Sequence, residues 1–262
     1  MTAPPKSVIH INFIAGTLLF DPRPIWTALR QAEAAGNVSS GMAQGLFEKF
    51  GDKAIHLGTR HYLMKQAVAE LKSGLTAMYE QVPEPWNIPV AGTHRVVSGT
   101  SCERWRDRTL LAVDSFLFEF RAFLDLLAQF VHGVLIELGK APPRREQLSS
   151  GKSIHITDIK GKLKPHGFLL YLCDKCGVAV GWYDFLSSHR NFFTHEGAPY
   201  CAIEDRMVRP PEFDLIVMKS NIQDFQRADP QSFFRISECD AVVQGIATLS
   251  ASAQKYLLDV LR

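Results

Sequence analysis

The sequence predicts a mainly α-helical protein: a four-helix bundle from about residue 102 onward, with a β-hairpin insertion, preceded by a mostly helical N-terminal segment. Three observations predict it. Leu110, Val113, Leu117, Phe120, Leu124, Leu127, Val131, Val134 and Leu138 follow one another at alternating steps of three and four, the repeat of a long helix with one apolar seam. Helical periods recur at Val178, Trp182, Phe185, Leu186 and Phe193, and again at Val242, Ile246, Leu249, Ala253, Tyr256, Leu257 and Val260. Between these last two lie two short β-rich runs, 200–204 and 213–219, around Arg209-Pro210-Pro211.

Residues 8–20 alternate weakly and read as one or two short strands. Pro24 opens a helix to about Ala35, as proline suits a first helical turn, and Gly36-Asn37 ends it. A shorter helical piece spans 39–50 and Gly51 closes it. A longer one spans 60–81, with Leu63, Ala67, Leu71, Leu75 and Met78 on one face. From 82 to 101 the period is lost and Pro83, Pro85, Pro89, Gly92 and Gly99 crowd the chain, so this stretch reads as a linker. It divides residues 1–98, a helical segment without an assigned role, from a bundle domain at 102–262. Phe116, Phe123 and Phe130 form a second row beside the seam of the long 102–139 helix. A seam widened in this way needs more than one neighbour, which predicts a bundle core that also dimerises. A short helix follows at 168–176. Phe233 to Ile236 adds a third short strand, and Ser237 caps the last helix.

Composition narrows the class. At 262 residues, 46% hydrophobic and 21% charged, the chain holds enough apolar material for a sizeable core, while its net charge of +2 singles out no partner. Five cysteines without framework spacing suit a reducing compartment, and the expected location is the cytoplasm. The apolar stretch 8–20 is too short to span a bilayer and lacks the layout of a signal peptide, so no membrane partner is expected.

Charge is unevenly placed. Between 139 and 165, Lys140, Arg144, Arg145, Lys152, Lys160, Lys162 and Lys164 face only Glu146 and Asp158. Pro142-Pro143 and Ser149-Ser150-Gly151 predict a flexible loop here. A mobile cationic loop can hold a phosphate backbone, which makes Lys152, Lys160, Lys162 and Lys164 candidate RNA-binding residues.

The stretch Arg190-Asn191-Phe192-Phe193-Thr194-His195 closes the 178–196 helix. Asp184, Ser187, Ser188, Asn191 and His195 form its polar stripe. Gly197 and Pro199 stop it. Arginine is permanently charged with a fork that fits two phosphate oxygens, and histidine moves protons near neutral pH.

This R-N-x-x-x-H pattern resembles the signature of the HEPN superfamily, over about residues 102–262. The resemblance implies an antiparallel four-helix bundle with the motif on its third helix, and a homodimer whose two motifs share one cleft. It implies a metal-independent endoribonuclease with RNA as substrate and no cofactor, of the stress-response or defence type, with an antitoxin-like protein inhibitor. Arg190, Asn191 and His195 are then the catalytic set: His195 in proton transfer, Arg190 on the phosphate, Asn191 positioning substrate. Glu119 and Asp125 are candidates to orient Arg190. Superfamily members without turnover imply the alternative, a dimerisation or RNA-binding module.

Other constellations are weaker. Cys173-Asp174-Lys175-Cys176 is a lone CxxC without a second pair, and reads as two buried free thiols one turn apart rather than a zinc site. Gly151-Lys152-Ser153 lacks the first glycine and the leading strand of a phosphate-binding loop. No metal site is expected.

Overall fold

The structure, a computed structural model, describes residues 20–81, 88–89, 95–97, 103–195, 200–205, 213–218 and 234–262. The expected strands within 8–20 and the stop at Gly197 and Pro199 lie outside them. The protein is mainly helical. Its helices are α1 (Arg23–Ala34), α2 (Met42–Gln81), α3 (Glu103–Glu137), α4 (Pro165–Cys176), α5 (Gly181–His195) and α6 (Ile236–Leu261). Strands β1 (Ile88–Pro89), β2 (Arg95–Val97), β5 (Tyr200–Asp205), β6 (Phe213–Met218) and β7 (Phe234–Arg235) form one sheet in that order, while β3 (Arg145–Gln147) and β4 (Ser153–His155) form another.

The long helix expected at 102–139 is α3, and its seam from Val113 to Val134 is buried. The phenylalanine row is buried too, but its second neighbour belongs to the same chain. Phe130 meets Phe20, Trp26 and Phe50 edge-on at ring separations of 5.0, 6.0 and 6.3 Å, and Phe123 meets His61 of α2. The row therefore does not call for a second protomer.

Helices α2 and α3 run antiparallel. Their rungs are Lys49 with Glu137, Lys53 with Gln129, Arg60 with Glu119 and Glu70 with Arg108. The sequence pattern suggests a break at Gly51; the helix continues through it. Glycine costs a helix only about 1 kcal/mol, and Leu46, Phe50, Ala54 and Leu57 on either side of it are buried in the core, which outweighs that penalty. Residues of α1 and α2 share one core with α3 to α6. The stretch read as a linker also contributes structure: β2 pairs antiparallel with β5, Val96 opposite Glu204.

The expected hairpin of β5 and β6 is present in register, Ile203 opposite Leu215, and β7 adds to β6 as the third strand. Ser237 is not the cap of α6. It lies inside the first turn, where its N–H and hydroxyl donate to the buried Asp214 carboxylate of β6. The Arg235 N–H is instead taken by the Glu238 side chain at 2.8 Å, one half of a capping box.

Candidate functional site

Helix α5 is held on three sides. Trp182 packs edge-on to Phe120 of α3 at 5.9 Å, and on its other side lies so close to Gly245 of α6 that a β-carbon there would sit 2.8 Å from the indole. Leu186 and His189 are buried below, so His189 is a packed residue. Opposite them Asp184, Ser188, Asn191, Thr194 and His195 are exposed. His195 is the last residue of the helix.

Within the motif, the Arg190 guanidinium donates to the Asn191 side-chain oxygen at 3.3 Å, and the Thr194 hydroxyl donates to the Arg190 carbonyl at 2.8 Å. Arg190 is half-buried while Asn191 and His195 face solvent. Arg190 and His195 stand about 140° apart round the helix axis, as a separation of five residues requires. A ligand shared by both must therefore be reached by the longer arginine side chain.

Neither acidic residue expected to orient Arg190 does so. Both Glu119 oxygens accept from Arg60 of α2, at 2.8 and 2.9 Å. Asp125 accepts from Arg121 one turn earlier on α3, at 3.2 Å. Each carboxylate is engaged by an arginine of α2 or α3 instead.

The polar cluster that pins α5 is not foreseen by the sequence pattern. The Tyr183 hydroxyl accepts from Arg121 at 2.7 Å and lies 2.8 Å from His166 Nδ1, with the His166 and Tyr183 rings stacked at 5.4 Å. Burial raises the Tyr183 hydroxyl above its ordinary range against the opposing pull of Arg121, so it stays a neutral O–H. Three helices, α3, α4 and α5, are thus joined through one phenol. Tyr183 is seven residues before Arg190, which puts both on nearly one face of α5. The Arg121-x-x-x-Asp125 spacing is a visible signal for this cluster; its partners on α4 and α5 have none.

The segment 139–165, expected as a loop, carries a pair of short strands. β3 and β4 pair with Arg145 opposite His155, Glu146 opposite Ile154 and Gln147 opposite Ser153, and Thr157 bridges Leu163. Ser149 at the hairpin turn binds the Asp174 carboxylate of α4. Lys152, Lys160, Lys162 and Lys164 are all exposed. Lys152 stands at the hairpin turn, whereas Lys164 lines a groove of about 440 Å³ with Arg144, Arg145, His155, Thr157, Asp158 and Ile159.

Cys173 and Cys176 are free thiols one turn apart on α4, pushed by burial up to about 12 and about 11. Among the described residues no three His, Cys, Asp or Glu side chains are grouped to hold a metal ion, and no helix is long and apolar enough to cross a membrane.

Comparison of the chain with protein-family models, with curated proteins and with solved structures finds no match in any of the three.

Proposed function

We propose that this chain is a metal-independent endoribonuclease, with α3 to α6 as a HEPN-like four-helix unit and Arg190, Asn191 and His195 as its catalytic set. One observation carries the reading: a helix pinned at Trp182 and Tyr183 brings a half-buried arginine, its bonded asparagine and an exposed histidine to its last two turns. RNA brings its own nucleophile, the 2′-hydroxyl. The 2′-oxygen attacks phosphorus and the bond to the 5′-oxygen breaks, leaving a 2′,3′-cyclic phosphate. One imidazole takes the 2′-hydroxyl proton and another gives a proton to the departing 5′-oxygen. Arg190 neutralises the added negative charge on the phosphate.

Two proton transfers need two imidazoles, and the motif has one per chain. The homodimer in this reading rests on that chemical requirement, since the phenylalanine row is covered from within the chain. The exposed Asn191 and His195 also offer a surface to an antitoxin-like inhibitor, and the stress-response or defence role goes with it.

The test pairs an RNA with a DNA of the same sequence in excess EDTA. Cleavage of RNA alone, leaving cyclic phosphate ends, is the expected result. A protein that binds the RNA without cutting it would instead be the dimerisation or RNA-binding module.

A further inference from the structure

The pairing of β3 with β4 sorts charge. In a strand, alternate side chains point to opposite faces, and cross-strand partners share a face. Glu146 and Ile154, opposite each other, are half-buried, with Ile154 packed against the core and Glu146 facing Lys175 of α4 at 3.7 Å. Arg145, Gln147, Ser153 and His155 therefore occupy the outer face, and all four are exposed. The other acidic residue of the segment, Asp158, is engaged in its own turn: its carboxylate accepts the Lys162 N–H at 2.7 Å and its carbonyl accepts from Arg144. Acidic groups are thus turned inward or occupied, and the outer face is left to donors. That face continues into a groove where Arg144, Arg145, His155 and Lys164 outnumber its one carboxylate, Asp158, one oxygen of which is taken by the Lys162 N–H. At the groove's rim stands Ile159, 92% exposed.

We propose that the outer face of this hairpin and its groove form a binding site for a single-stranded RNA segment, with Arg145 and Lys164 on phosphates and Ile159 against a base. This rests on the endoribonuclease reading for the choice of RNA. A guanidinium and an ammonium beside a bare aliphatic side chain match a nucleotide, which carries an anion and an apolar ring together, better than inorganic phosphate. The site also lies on the way to the motif helix. Lys164 stands two residues before His166, and His166 touches Tyr183 on α5. Of the four candidate lysines only Lys164 lines the groove; Lys160 and Lys162 do not, and Lys152 stands at the far turn, outside the site.

The experiment uses the full chain and a fluorescent 2′-O-methyl oligoribonucleotide, which binds but cannot be cut, followed by anisotropy across a salt titration. Arg145→Gln with Lys164→Gln is expected to weaken binding about tenfold. The slope of log affinity against log salt should flatten by roughly 1.4, about 0.7 for each single-strand phosphate that is no longer neutralised. Ile159→Ser should weaken binding without changing the slope. Lys152→Gln should change neither. Unchanged binding and slope in the double variant would overturn the proposal, and if the wild type still cuts RNA the nuclease reading survives that failure. Weakened binding in the double variant, with a wild type that cuts no RNA, leaves the site standing and removes the nuclease. Sedimentation with phosphatidylserine vesicles tests the rival occupant: loss of vesicle binding in the double variant with RNA affinity intact would overturn the proposal in favour of a lipid surface.

Discussion

The backbone carbonyl of His155 occupies the place where a β-carbon at position 167 would stand: the two would be 2.0 Å apart. Gly167 lies in the first turn of α4, and this close approach seats the β3–β4 hairpin on that helix. Alanine is a better helix former than glycine by about 1 kcal/mol, yet here it must displace a strand. Gly167→Ala should therefore cost about 1–3 kcal/mol, the usual range for forcing extra volume into a packed site. Urea unfolding measures it, and a stabilised variant would mean the hairpin does not rest on α4 in this way.

Arg60 and Glu119 are 59 residues apart in sequence and join α2 to α3 through both carboxylate oxygens. The Glu119 side chain is nearly buried and that of Arg60 one-third exposed. Removing the arginine strands a carboxylate in a poorly hydrated place, so Arg60→Ala should destabilise by roughly 2 kcal/mol, between the values for exposed and buried pairs. In a double-mutant cycle, Glu119→Ala should cost clearly less in the Arg60→Ala background than in the wild type. Additive effects would show that the pair contributes nothing specific.

His61 is 7% exposed on α2, its Nε2 is buried without a hydrogen-bond partner, and burial, then the charge of Lys65, pushes its pKa down to about 4. The folded protein holds this imidazole neutral while the unfolded chain protonates it below about 6.5. The unfolded state thus binds more protons between those values, and stability falls as pH drops from 6.5 towards 4, by roughly 3 kcal/mol in all. Burial moves His132 in the same direction. His61→Leu should remove most of its share of that acid limb. Wild type and variant with parallel urea midpoints from pH 7 to 4.5 would contradict the assignment.

How much of this is legible in the sequence depends on the distance over which each feature is decided. The seam of α3 and the apolar face of α5 can be read because their periods lie within one helix. The continuation of α2 through Gly51 cannot, since it depends on Leu46, Phe50, Ala54 and Leu57 meeting a core that includes residues about 80 positions away. The β3–β4 hairpin is hidden for a different reason: three-residue strands between Pro143 and Gly161 carry too little pattern to outweigh their loop-like composition. The motif residues are visible as a spacing. What fixes their helix, the Arg121–Tyr183–His166 cluster, joins three helices and leaves no local signature.

The most direct test is the rate of RNA cleavage by the Arg190→Ala and His195→Ala variants beside the wild type. His195 is exposed and Arg190 only half-buried near the end of α5, so both variants should fold. Each should cut at least about a hundredfold more slowly, the scale of a lost proton-transfer group, and Arg190→Lys, which keeps the charge but loses the fork, should fall between. Cleavage that proceeds equally fast with alanine at both positions would contradict the account.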